Sequence, residues 1–223
     1  MKCVVTAGPT YEELDQVRRM TNFSTGALGA GLADYLAGAG HEVELLAGYY
    51  STCPTAARAS RRQTFTTTAD LRRRLAALAA PDVGAVFHAA AVSDFTFGKI
   101  WERGASGKLR EIKAAKIPTR APGLLAELKP VPKIIRELRG WFPKAFLAGW
   151  KYELEPEAED QIVARGAEQM KENRTDACVL NGRGFSEAGF GLLQKDGTLV
   201  RLPDKAALFA ALEACLARIF HSR

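Results

Sequence analysis

With 223 residues, of which 47% are hydrophobic and 25% charged, the chain has the composition of one α/β domain with a full core, and bulk disorder is excluded. No apolar run is long enough to span a bilayer and Met1 to Thr6 reads as a strand rather than a signal sequence, so the expected address is cytoplasmic, with no membrane partner. The net charge of +6 comes from 31 Lys and Arg against 25 Asp and Glu; lacking interleaved aromatics or a binding module, it argues against a nucleic-acid partner and suits a polyanionic small molecule.

Lys2 to Thr6 is a short β-branched strand, stopped by Ala7-Gly8-Pro9-Thr10, and a polar loop is expected from there to Asn22. The stretch Arg18 to Gly29 then brings an arginine, an amide, two hydroxyls and two glycines to the mouth of a helix. Ser24 and Thr25 can cap it, Gly26 and Gly29 allow close approach to the backbone, and the first-turn N–H groups suit a phosphate or carboxylate. A plain capped helix explains the same residues equally well. Leu28, Leu32, Leu36 and Ala39 follow at helical spacing, Gly38 and Gly40 close the segment, and Glu42 to Ala47 is the next strand, parallel to the first by right-handed crossover.

A loop rich in Thr and Arg leads to a helix over Ala69 to Leu78, capped by Thr68, and Val83 to Ala91 has the unbroken apolar character of a central parallel strand. It ends at Ala89-Ala90-Ala91-Val92-Ser93-Asp94. Small residues at that edge leave room for a planar ligand, or simply pack beneath a helix. From Phe95 to Pro122 periodicity fails amid glycines and lysines, which predicts a mobile lid or partner-binding arm. Leu124 to Leu128 reads as a short strand, and Pro130-Val131-Pro132-Lys133 opens a helix through Leu138. A strand from Ala145 leads into Gly149-Trp150-Lys151, Glu157 to Asn173 is a long helix, and Ala177 to Leu180 is another strand. Lys195-Asp196-Gly197-Thr198 signals a hairpin, and Asp204 caps a last helix with Leu208, Leu212, Leu216 and Ile219 inward. The reading is a single domain over 1–223: an α/β, Rossmann-like three-layer sandwich with a mostly parallel central sheet, a C-terminal β-hairpin and a mobile lid at about 95–122.

Several chemistries lack their residues. Gly26, Gly29 and Gly31 run G-x-x-G-x-G, some twenty residues after the first strand, and the second strand ends without an acid for a ribose, which speaks against an NAD(P)-dependent oxidoreductase. There is no Gly-x-Ser-x-Gly elbow and no metal-ligand spacing. Cys3, Cys53, Cys178 and Cys215 read as buried free thiols. His41 and His221 read as surface residues, whereas His88 either meets a ligand or is a hydrogen-bonded strand residue.

Three motifs near the N-terminus, Thr6-Ala7-Gly8-Pro9-Thr10, Asp15-Gln16-Val17-Arg18 and Thr21-Asn22-Phe23-Ser24-Thr25-Gly26, resemble motifs of the phosphopantothenoylcysteine synthetase family. So do Ala89 to Phe95, Ala115-Lys116-Ile117, Lys129 to Ile135, Gly149-Trp150-Lys151 and Leu180-Asn181, in the family's order over nearly the whole chain. The resemblance, to the synthetase (CoaB-type) domain of the DNA/pantothenate metabolism flavoproteins, is to the stand-alone form, with no flavin expected. It implies a homodimeric ligase that joins 4′-phosphopantothenate to L-cysteine in coenzyme A biosynthesis, using CTP or ATP and Mg2+, through an acyl-nucleotide. On that resemblance Asn22 handles the acyl-nucleotide, with Arg18 near it and Ala90 and Ala91 as a small floor for the substrate. Asp94 meets the nucleotide sugar or base, Lys116 the triphosphate, and Pro132, Lys133, Ile134, Ile135 and Trp150 line the base pocket. Gly8, Ser24, Thr25, Gly26, His88 and Ala89 complete the expected nucleotide site. No metal ligand is assigned.

The chain also departs from the family. Ala27 stands where bacterial members commonly have lysine, Glu168 and Glu172 where they have two lysines one turn apart, and Gly182 where Asp follows Asn. Lys171 or Arg165 is the expected replacement at the triphosphate, and the lost lysines motivate a rival reading, a non-catalytic nucleotide-binding homologue.

Overall fold

The computed structural model describes residues 1–53, 58–104, 106–118, 123–186 and 189–221, with side chains in the last helix described as far as Arg218. Strand β1 (Lys2–Ala7) is buried from Cys3 onward and ends at Gly8, whose φ of 81° turns the chain away from the sheet. The expected polar loop to Asn22 is instead an antiparallel hairpin of β2 (Tyr11–Glu13) and β3 (Arg19–Thr21). Tertiary contacts hold it: the Arg19 guanidinium lies 4.5 Å from the centre of the Tyr11 ring and donates to the Tyr50 hydroxyl.

Helix α1 (Ala27–Gly38) and β4 (Glu42–Gly48) complete the first crossover, and β1 and β4 pair in parallel as expected. The Thr/Arg-rich loop contains β5 (Arg61–Phe65), an edge strand whose polar residues hid it. Helix α2 (Thr68–Ala77) begins one residue early: Thr67, not Thr68, is its cap, accepting from the Asp70 N–H at 3.2 Å. Strand β6 (Val83–His88) follows.

The expected lid is largely ordered structure. Strands β7 (Phe95–Arg103), β8 (Leu109–Glu111) and β9 (Leu124–Pro130) form a separate antiparallel sheet in the order β8-β7-β9. Its two long strands leave the body together, with the Val131 N–H donating to the Asp94 carbonyl at 3.0 Å and Lys133 paired to Asp94. The chain returns through α3 (Ile134–Trp141), β10 (Phe146–Tyr152), α4 (Glu159–Asn173) and β11 (Ala177–Asn181). The expected hairpin is β12 (Phe190–Gln194) and β13 (Leu199–Leu202), turning at Gly197. Helix α5 (Lys205–His221) is capped by Asp204, which accepts from the Ala207 N–H at 2.8 Å. The side chains of Ile219 and His221 lie outside the described residues.

The eight-stranded central sheet has the order β13-β12-β11-β10-β6-β1-β4-β5; β12 alone runs against the other seven strands, so the β11–β12 and β12–β13 pairings are antiparallel. One core packs α1 and α5 on one face through Leu32, Leu36, Leu208, Leu212 and Leu216; the other packs α2 and α3 through Leu71, Leu75, Ile134 and Leu138. Each such fully buried leucine contributes about 1.5–3 kcal/mol by burial. Helix α4 covers Cys178 and Leu180 through Ile162 and Met170. Strand order reverses at the β1–β6 junction, which is where an open α/β sheet offers a crevice at its carboxyl edge. Among the described residues, no helix is long and apolar enough to cross a membrane. Cys3, Cys178 and Cys215 are buried free thiols, but Cys53, in the loop after β4, is only half-buried. His41 also departs from expectation: it is mostly covered, its Nε2 3.6 Å from the Glu213 carboxylate.

Candidate functional site

At the β1–β6 junction the two chain ends are stitched together beyond the strands. The Ala91 N–H donates to the Gly8 carbonyl at 3.0 Å, and the Thr10 N–H donates to the Ala91 carbonyl at 3.1 Å. Buried Thr6 accepts from the Ala90 N–H at 3.1 Å, and its hydroxyl lies 3.0 Å from His88 Nδ1. Burial pushes the His88 imidazole down to about 4, so the ring is neutral near pH 7. If Thr6 donates to Nδ1, the ring proton sits on Nε2. These bonds fix Ala89, Ala90 and Ala91 as a rigid, half-buried ledge.

Asn22 reaches that ledge. Its Nδ2 donates to the Ala91 carbonyl at 3.1 Å, bringing the amide of the β3–α1 loop onto the end of β6, sixty-nine residues away. One amide hydrogen is thereby used and oriented, leaving the second and Oδ1 without a bond to any described residue.

Arg18 is placed differently from the expected site contact. It donates through Nε to Asp15 at 3.1 Å and through Nη2 to the Ile117 carbonyl at 2.8 Å. The Ile117 N–H donates back to Asp15, and the Gln16 N–H donates to the Ala115 carbonyl, both at 3.0 Å. The Asp-x-x-Arg turn is therefore a clip that seizes the residues on either side of Lys116, whose side chain is exposed. The Arg18 guanidinium beside Asp15 holds its carboxyl well below the usual carboxylate range.

The expected caps separate. Gly26, in the left-handed region at φ 77°, is the N-cap of α1; Thr25 Oγ1 accepts from the Ala27 N–H at 3.2 Å, while Ser24 makes no side-chain cap bond. Gly29 serves packing rather than ligand approach, because a Cβ there would lie 2.7 Å from that of Ala7 and 2.8 Å from the Thr6 carbonyl oxygen.

Beside the ledge, between α3, α4 and β10, opens a cleft of about 380 Å³. It gathers His88, Ala90, Asp94, Lys133, Ile134, Ile135 and Trp150 from the expected set, and Pro132 lies just before its α3 wall. Arg165, Glu168, Gln169, Glu172 and Asn173 form its α4 wall, and Gln169 and Asn173 were not anticipated. Their i, i+3, i+4 spacing with Arg165 is the signal that marks this face of α4. The cleft's cations are already neutralised: Lys133 by Asp94, Arg136 by Glu172, Lys151 by Glu153, and Arg165 by Glu153 and Glu157. Trp150 Nε1 and Asn173 Oδ1, one donor and one acceptor, are buried without a hydrogen-bond partner among the described residues. Lys171 is not here. It faces a separate cavity at the amino edge of the sheet, because it sits on the other side of α4 from Glu168 and Glu172. The expected replacement at the triphosphate therefore falls to Arg165 alone. Among the described residues no group of three or more His, Cys, Asp or Glu is placed to hold a metal ion.

The profile of the DNA/pantothenate metabolism flavoprotein C-terminal domain matches residues 1–212. The coenzyme A biosynthesis bifunctional protein CoaBC of Bacillus subtilis is 30% identical over 219 residues, which is 94% of this chain and 49% of that protein. The chain spans about half the length, or somewhat less, of the curated coenzyme A biosynthesis proteins it matches. The crystal structure of the DNA/pantothenate metabolism flavoprotein from Streptococcus pneumoniae superposes with a TM-score of 0.84 at 26% identity, covering 98% of this chain and 99% of that one. A Cab2 mutant complexed with phosphopantothenate-cysteine shares the fold at a TM-score of 0.72 and 19% identity, covering 99% of this chain and 86% of that one.

Proposed function

Because the chain belongs to the DNA/pantothenate metabolism flavoprotein C-terminal domain family, we propose that it is a phosphopantothenate–cysteine ligase. In the first step the carboxylate of 4′-phosphopantothenate attacks the α-phosphorus of CTP or ATP and expels pyrophosphate, forming a mixed anhydride. In the second the cysteine amine attacks the acyl carbon, forms the amide and releases the nucleoside monophosphate. Neither step needs a protein nucleophile; positioning and neutralisation of developing charge suffice.

The observation that carries this reading is the 3.1 Å bond from the Asn22 amide to the Ala91 carbonyl. It holds a second N–H where it can donate to an acyl oxygen above the ledge, and an Oδ1 that can accept from an incoming amine. Lys116, carried on the segment that Asp15 and Arg18 clip, is the cation for the phosphates. The small side chains of Ala90 and Ala91 leave space for the reacting groups, and the unpartnered Trp150 Nε1 and Asn173 Oδ1 are available to a base. Magnesium would arrive on the triphosphate, which supplies most of its ligands and needs one or two carboxylates from a protein.

We place the enzyme in the cytoplasm, as a single domain over 1–223 and as a homodimer. The exposed Phe95, Leu109, Leu124 and Leu128 of the β7–β9 sheet support the dimer. The second reading, nucleotide binding without turnover, is favoured by the ion-paired cations and by Glu168 and Glu172 in the cleft wall. Pyrophosphate release with phosphopantothenate, cysteine and either triphosphate separates the two: the ligase gives product in proportion to pyrophosphate, the binder gives neither.

A further inference from the structure

A cavity of about 880 Å³, more than twice the cleft's volume, lies at the opposite, amino edge of the parallel strands. It opens where the ends of α3 and α4 meet the β12–β13 turn. Phe146, Met170 and Leu193, all buried, give it an apolar lining, and the size suits a small-molecule ligand. Lys171, Arg174 and Lys195 stand at its rim, and their side chains make no ion pair with any described residue. The lining carboxylate, Asp176, is held by Arg139 at 2.7 Å and by the Leu147 N–H at 2.9 Å, so it is not left to repel an anion. Arg139 also donates to the Pro143 and Ala145 carbonyls after α3, at 3.2 and 2.8 Å, answering the negative end of that helix.

Two further features point to a ligand. Thr175 is 3% exposed and lines the cavity, yet its Oγ1 has no hydrogen-bond partner among the described residues. A buried hydroxyl left unpaired is destabilising unless a bound molecule completes it. Arg174 closes α4 in the left-handed conformation, φ 53° and ψ 40°, a site where glycine is the favoured residue. It is the non-glycine residue with positive φ among those described, and the backbone strain it holds sets a guanidinium at the rim.

We propose that this cavity is a second ligand site, separate from the ledge. It takes a phosphorylated amphiphile whose phosphate meets Lys171, Arg174 and Lys195 and whose hydrocarbon arm lies over Phe146 and Met170. Several converging cations favour a phosphate over a singly charged carboxylate.

The chain has three methionines, Met1, Met20 and Met170, so methyl-labelled methionine gives one reporter in this cavity and one in β3, two residues before Asn22. Octyl phosphate titrated into the full chain should shift the Met170 methyl resonance saturably and leave Met1 and Met20 in place. Octanol and inorganic phosphate should each bind more weakly. Arg174→Gly removes the charge while giving the backbone its preferred residue, so affinity should fall about tenfold with a Tm equal to or above wild type. Lys171→Ala should weaken binding in the same direction. No saturable shift at Met170, a shift at Met20 in its place, or undiminished affinity in Arg174→Gly would each overturn the proposal. None of these readouts depends on ligase turnover.

Discussion

The two edges of the central sheet treat charge in opposite ways. At the carboxyl edge, in the cleft beside the alanine ledge, Lys133, Arg136, Lys151 and Arg165 are each tied to a carboxylate. At the amino edge Lys171, Arg174 and Lys195 have no such partner among the described residues. The proposed chemistry lies at the first edge despite its neutralised cations because there the β1–β6 reversal opens a crevice, and both the Asn22 loop and the β7–β9 sheet emerge beside it. A nucleotide entering the cleft must exchange with existing ion pairs or draw on Lys116 from the clipped segment. An anion at the amino edge meets cations that are already available.

The largest test of this contrast is Asn22→Ala. Cysteine-dependent product formation should fall about 100- to 1,000-fold, the size expected when one donor to a developing oxyanion is removed, while octyl phosphate binding at Met170 is unchanged. A second test uses pH, because the carboxyl edge contains a buried neutral imidazole. The folded pKa of His88, about 4, lies below its ordinary value of 6.5, so between these values the unfolded chain binds more protons. Stability should therefore fall as pH drops from about 6.5 to about 4, by roughly 3 kcal/mol in total, and flatten below. Urea unfolding of wild type and His88→Gln across that window checks it, and the variant should lose this component. Third, Glu168→Lys with Glu172→Lys should lower the KM for the triphosphate about tenfold by replacing repulsion with attraction, measured with CTP and ATP separately. The smallest effect is at the other edge: Arg174→Gly should raise stability by about 1 kcal/mol through relief of left-handed strain, with pyrophosphate release unaltered.

How far the sequence reveals these features depends on where each signal resides. Strands β1, β4 and β6 and helices α1 and α5 announce themselves because burial demands continuous or periodic apolar residues. The β2–β3 hairpin does not, because Tyr11–Glu13 and Arg19–Thr21 are polar and held by Tyr49, Tyr50 and Arg19 contacts distant in sequence. Strand β5 is similarly concealed, its Arg61 and Arg62 facing solvent at the sheet edge. In β7 the alternation of Phe95, Phe97 and Trp101 goes unread, because Gly98 interrupts it and the register shifts against β9 between Phe97 and Ile100. At the site, the chemical identities of Asn22, the alanine ledge and Trp150 are visible in the sequence, and their approach is not. Arg18 was readable as an important cation, yet only the fold gives its partners, Asp15 and Ile117. The side of α4 was decisive too: one helical position puts Lys171 in the opposite cavity from Glu168 and Glu172.

The central claim is that the Asn22 amide passes a nucleotide-activated carboxyl group to an amine above the alanine ledge. Rapid quenching of wild type and Asn22→Asp with phosphopantothenate and α-labelled triphosphate, first without and then with cysteine, tests it directly. The account predicts a labelled acyl-nucleotide in both proteins, consumed promptly by cysteine in wild type and persisting in the variant. Consumption at the wild-type rate in Asn22→Asp would contradict it.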